Sequence, residues 1–154
     1  MRFDKFTIKS QELVQQAQAL ATRHNNQQIE PEHIVCAMLE EGEGIANAIL
    51  RKLGVSPDSV RQAMLMAVNN LPKIAGSGDI YYSPTTKHIL NAAFTEAARM
   101  KDEYVSIEHI LLAVLDEGDS QAGVIFNQQG VTRNRILKVL MEIRGSQRIT
   151  DPNP

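Results

Sequence analysis

Apolar residues along this chain recur three and four positions apart in eight separate stretches, and the two-residue alternation of a half-buried strand is absent throughout. Leu13, Val14, Ala17 and Ala21 make the first stripe, and Ile89, Leu90, Ala93 and Ala97 make a matching one in the second half. Thr7 and Ser83 precede these stripes as N-cap residues, with Pro84 at the first helical position of the second. Another helix begins near Pro31 and again after Ser106, carrying Ile34, Val35, Met38 and Leu39 in one case and Ile110, Leu111, Val114 and Leu115 in the other. Both are too apolar for a surface helix. A short third helix in each half ends at Gly54 or Gly130, where glycine can close it in the left-handed conformation. The fourth opens at Ser56-Pro57 or Thr132, with Val60, Ala63, Met64 and Ala67 on one stripe and Ile136, Val139, Leu140 and Ile143 on its counterpart.

This doubling is a sequence repeat. A single shift of 76 residues takes His33 to His109, Leu39 to Leu115, Gly42 to Gly118 and Gly54 to Gly130 without a gap. It also superposes Glu32 on Glu108, Arg23 on Arg99, Ile49 on Ile125 and Val55 on Val131. Two copies are too few and too long for a solenoid, so two four-helix halves packed on each other are expected, an all-α fold of eight helices. The first repeat runs from about 7 to 72 and the second from about 83 to 145. The joint from Pro72 to Pro84, "PKIAGSGDIYYSP", has the punctuation of a loop. Periodicity stops after Gly145, and "SQRITDPNP" over 146–154 is expected to be a mobile linker.

Composition narrows the classes. With 154 residues and 43% hydrophobic content, the chain can bury a core of its own as one compact unit, taken as residues 1–145. A net charge of -2 with both signs interspersed offers no field for nucleic acid, and no run has the length of a membrane span. The opening residues lack the apolar centre of a signal peptide, and the single Cys36 fits a reducing, cytoplasmic setting.

Enzyme chemistry finds little support. There is no phosphate-binding loop, no H-E-x-x-H and no paired C-x-x-C, so neither a nucleotide nor a metal site is expected. Cys36 and His33 lie three residues apart on an apolar helix, where a buried thiol is held protonated and inert. The acidic pairs Glu40-Glu41 and Asp116-Glu117 precede glycines and read as solvated helix ends. What remains is Glu32 and Glu108, each in the first turn of a helix and each followed by a histidine. A carboxylate there is favoured by the helix dipole and needs no ligand. Alternatively, the two form equivalent anionic anchor points, each with a cap hydroxyl from Thr7 or Ser83, for a cationic group of a partner. His33 and His109 are then packing residues behind them.

Several runs together, "HNNQQIEPEHI", "EEGEGIANAILRKLGV", "NNLP" and "VSIEHILLAVLDEGDSQAGVIFNQQGV", make the chain similar to the amino-terminal domain of the ClpB/ClpC class of AAA+ unfoldases, over nearly its whole length. The resemblance implies two tandem four-helix repeats related by a pseudo-twofold axis and packed as one domain, a non-catalytic substrate-recognition domain that meets unfolded or aggregated polypeptide in an apolar groove between the repeats. Such a domain hands its client to a homohexameric ATPase ring, which would use ATP and magnesium; this chain needs no cofactor. Substrate-sensitive positions of the class fall on Thr7, Asp102 and Glu108, and the groove would use first-helix residues such as Leu13 and Leu90. The tail resembles the ClpB exit towards an ATPase module, which implies a disaggregase. The doubled "EHI" is closer to ClpC-type domains, where residues matching Glu32, Glu108, Thr7 and Ser83 hold phosphorylated arginine or serve adaptor proteins.

Overall fold

A computed structural model describes residues 2–76 and 78–154; Met1 and Ser77, the latter inside the expected joint, lie outside the described residues. After a single 3₁₀ turn at Phe3–Lys5, the described residues form eight α-helices: α1 Ile8–Arg23, α2 Pro31–Glu40, α3 Ile45–Lys52, α4 Pro57–Asn69, α5 Pro84–Arg99, α6 Ile107–Asp116, α7 Gln121–Gln128 and α8 Arg133–Arg144. The expected starts hold at atomic detail. Thr7 Oγ1 accepts from Ser10 N–H at 3.1 Å and Ser83 Oγ from Thr86 N–H at 3.1 Å, while Ser56 and Thr132 cap α4 and α8 in the same way. Gly54 and Gly130 close α3 and α7 with φ of 76° and 74°, a region costly for any residue with a Cβ.

The helices α2 and α6 are the axles of the two halves. Pro31 through Leu39 are all buried, as are Glu108 through Val114. In the first half α2 packs against α1 and α4, and in the second α6 packs against α5, α7 and α8. The halves also interleave, α7 lying on α2 and α4 while α3 lies on α6 and α8, so one hydrophobic core runs through both.

Two features escaped the helical periodicity. Short parallel pairings stitch the halves together: β1, Gln28–Ile29, runs beside β2, Tyr81–Tyr82, and Phe6 bridges Val105. These pairings are equivalent under the repeat, since Tyr82 meets Ile29 as Phe6 meets Val105. They are too short for alternation to register in the sequence. The second feature corrects the expectation of a loose tail. Glu103 N–H donates to Ile149 O at 2.7 Å, Ile149 N–H to Asp102 Oδ1 at 2.8 Å and Ile8 N–H to Pro152 O at 2.8 Å, which lays residues 147–152 back along the domain.

Candidate functional site

The crossed pairings decide what stands beside each candidate carboxylate. Thr7 donates its backbone N–H to Val105 O, three residues before Glu108, and Ser83 donates to Ile29 O, three residues before Glu32. Each cap hydroxyl therefore belongs beside the acidic helix start of the opposite half. Thr7, Ser83, Glu32 and Glu108 are all nearly buried.

Behind each carboxylate the histidine acts as a helix cap. His33 Nδ1 accepts from Glu30 N–H at 2.8 Å, and His109 Nδ1 accepts from Ser106 N–H at 2.8 Å. That leaves Nε2 to carry the proton in both rings. In the first half it donates to Asn26 Oδ1 at 2.9 Å; in the second it donates to Asp102 Oδ2 at 2.7 Å. Burial pushes His33 down to about 4, with His24 adding to the effect. Burial also lowers His109, against the pull of Glu108 and Asp102, so both rings are neutral capping groups.

From this point the halves diverge. Arg144, at the end of α8, donates to Asp102 Oδ1 at 2.6 Å and places Nη1 3.6 Å from Glu108 Oε2. Burial opposes ionisation of Asp102, but hydrogen bonds from Arg144, Ile149 N–H and His109 outweigh it and hold the carboxyl below its usual range. The position equivalent to Arg144 is Val68, so Glu32 has no cation within ion-pair distance among the described residues. Burial, helped by nearby Glu30, raises its pKa despite a bond from its own backbone N–H.

A groove of about 470 Å³ opens between the halves on the Glu108 side. Its apolar lining comes from Leu13, Ala37, Met38, Ile45, Ile107 and Ile143, while Lys9, Glu12, Glu41 and Arg148 add charge at the same opening. Thr7, Glu108 and Arg144 also reach it, and so does the docked tail through Gln147 and Ile149. The structure therefore gathers Thr7, Leu13 and Glu108 at one place. Asp102 lies just behind, its side chain wholly buried under Arg144. Glu32 and Ser83 sit at the equivalent position of the other half, away from this groove, and Leu90 is fully buried in the core with no surface to offer.

These features agree with what the chain is similar to. A family model described as the Clp repeat N-terminal domain matches residues 5–129. The chain belongs to the Clp repeat N-terminal domain family. Among curated relatives, this Clp repeat domain is 34% identical to the chaperone protein ClpB of Bacillus cereus, over 100% of its own length and 18% of the relative's. The Clp repeat domain thus spans about a fifth of the length of the relatives it matches. Among solved structures, the Hsp104 N-terminal domain from Candida albicans superposes with a TM-score of 0.84 at 24% identity, covering 96% of this chain and 97% of that one. The ClpV N-domain in complex with a VipB peptide superposes at 0.74 with 18% identity, covering 92% and 88%. At those identities the likeness shows the fold alone.

Two residues of the Clp repeat domain were not legible as site residues. Arg144 follows Ile136 and Leu140 at four-residue steps, so it occupies a stripe position whose counterpart is an ordinary valine. A charge there was the available signal. Ile143, expected on that stripe, is 39% exposed and turns into the groove instead. Cys36 is buried, and desolvation pushes its thiol up to about 12, which is the inert state expected of it. No helix is long and apolar enough to cross a membrane, and no cluster of three or more metal-ligating side chains occurs, among the described residues.

Proposed function

We propose that this domain is the substrate-recognition module of an ATP-driven protein disaggregase, and that it takes extended apolar segments of unfolded or aggregated polypeptide into the groove between its repeats. The observation that carries the reading is the groove itself: an apolar wall from both halves, with charges of both signs at the opening and Glu108 and Thr7 within it. Mixed charge suits clients of varied sequence, since no single sign is rejected. The similarity to ClpB chaperones, and the peptide complex of a ClpV N-domain with the same fold, support it.

A groove of this size engages only a few side chains at a time, which favours weak and fast binding, about micromolar or weaker. Release of that kind suits transfer to a motor. The motor, its ATP and its magnesium lie outside this chain, and a hexamer of such domains facing an aggregate would gain strength from many simultaneous contacts.

One observation favours a second reading. Glu32 is a buried carboxylate near a helix start with no cation beside it among the described residues, the environment that a guanidinium of phosphoarginine or a basic adaptor residue would complete. Against a symmetric pair of such sites, Glu108 already faces the chain's own Arg144. Heteronuclear NMR titrations separate the readings. Unfolded casein-like polypeptide should shift Leu13, Met38 and Ile143, with free phosphoarginine leaving the spectrum unchanged; shifts at Glu32 and Glu108 on phosphoarginine alone would sink the disaggregase reading in favour of the docking one.

A further inference from the structure

Residues 147–152 do more than lie near the groove. They are held at three points, and each point has a specific cause. Ile149 N–H donates to Asp102 Oδ1, the same oxygen that accepts from Arg144, and Arg144 Nη2 also donates to Gln147 O at 3.2 Å. Glu103 N–H donates to Ile149 O. Finally, Pro152 O accepts from Ile8 N–H, one of the orphan donors in the first turn of α1. The repeat explains why the last contact exists at only one end of the molecule. The residue equivalent to Ile8 is Pro84, which has no N–H, so α5 needs no such partner while α1 does.

The equivalent stretch of the first half, Pro72–Ile74, is held differently. Asn26 Nδ2 donates to Pro72 O, Ile74 N–H donates to Asn25 O, and the exposed Lys73 Nζ reaches His24 O, with no buried ion pair among these bonds. In the second half a carboxylate and an arginine replace the amide. The segment so held exposes most of its surface, yet Ile149 is half-buried and presents its side chain to the groove beside Ile143. It forms a wall without filling the space.

We propose that residues 147–152 are a strap, latched by Asp102, Arg144 and Ile8, that completes one wall of the groove, so that an occupant and the docked strap hold each other in place. The proposal rests on the groove being the polypeptide site. Coupling of this kind is reciprocal at equilibrium: an occupant favours the docked strap by the same factor by which the docked strap favours the occupant.

Ile8→Pro tests it with a residue that the other half already carries at this position; it removes the donor to Pro152 and leaves a φ suited to the first helical turn. Asp102→Asn, the counterpart of Asn26, is a second variant for the case that the first folds poorly. Amide exchange is followed at Ile149 and Glu103, alongside titration with unfolded casein. Expected are protected amides in the parent chain, faster exchange in both variants, further protection of the parent amides by casein, and casein affinity about fivefold weaker in the variants, near the low end of ordinary coupling. Ile149 and Glu103 amides that exchange freely in the parent chain would show that there is no strap. Freed amides with unchanged casein affinity would show a strap with no part in binding. A parent chain that binds no casein overturns the groove reading and the coupling together, and the exchange rates then judge the latch by itself.

Discussion

At corresponding places in the two halves, His33 leans on Asn26 and His109 leans on Asp102, with nearly the same geometry at Nδ1 and Nε2. One residue further out, Val68 in the first half is Arg144 in the second. The first half thus solves a packing problem with neutral groups. The second solves it with a buried chain of charges, Asp102 to Arg144 to Glu108, and the groove and the docked tail are both found at that end. A neutral pair suffices to cap and pack a helix start, so the fold alone does not call for the ions. Their cost in desolvation is matched by what they hold together: the end of α8, the tail and a groove carboxylate.

Removing one member of that chain should produce the largest effect. Arg144→Met leaves Asp102 buried without its cation and is expected to cost roughly 3 kcal/mol in urea unfolding. The double change Asp102→Asn with Arg144→Val gives the second half the residues of the first at these two positions, and should recover most of that loss. Recovery would show that the charges serve position and not stability; a double variant as unstable as the single one would break the comparison.

A smaller effect is expected where the halves differ in shape. Asn47 of α3 corresponds to Gly123 of α7, and a Cβ at Gly123 would lie 2.3 Å from Glu117 O. The turn between α6 and α7 has closed on the bare glycine, whereas Asn47 keeps the turn after α2 at a distance by donating to Leu39 O. Gly123→Ala should cost about 2 kcal/mol through overpacking, measured as a loss in thermal or urea midpoint, despite alanine's better helix propensity.

The same comparison explains how much could be read beforehand. Caps at Thr7 and Ser83, eight helices, the buried α2 and α6 and the equivalence of Glu32 with Glu108 were all legible, because each depends on spacing within one helix or on the shift between copies. The pairing of Thr7 with the Glu108 end was not, because it is made by two-residue strands that cross between halves. Leu13 and Leu90 show a further limit. Both keep helical spacing, yet only Leu13 borders the groove, since the groove lies between elements distant in sequence. The tail looked loose because it lacks periodicity, but its bonds run through backbone atoms and the Asp102 carboxylate, which no pattern of side chains announces.

Acid should act on His33 and Asp102 in different pH windows. His33 has a folded pKa of about 4 against 6.5 in the unfolded chain. Between those values the unfolded state binds the extra proton, so stability falls as pH drops through the window, with a slope of up to about 1.4 kcal/mol per unit from this residue. His33→Gln should flatten the urea-derived stability profile there by about one proton. Asp102, held below its usual range, contributes stability that is present above 3.8 and is lost only as pH falls further. Asp102→Asn should therefore flatten the profile at lower pH. Two losses in the same window would mean that the histidine and the carboxylate are not separately set.

The smallest effect is also one of sign. Glu32 is buried without a cation and its pKa is raised, so its charged form is disfavoured in the fold and stability is given up as pH rises above 4.5. Replacing it with the neutral isostere, Glu32→Gln, should raise stability at pH 7 by up to about 1 kcal/mol. Glu108 instead faces Arg144, and Glu108→Gln should lower stability by a similar amount through loss of that partly buried attraction. Opposite signs in paired thermal denaturations would establish that the two acidic helix starts, alike in sequence, differ in surroundings: Glu32 lacks a cation among the described residues, and Glu108 has Arg144. Equal and negative signs would mean that each serves its helix start alone, through the dipole and the free N–H groups of the first turn.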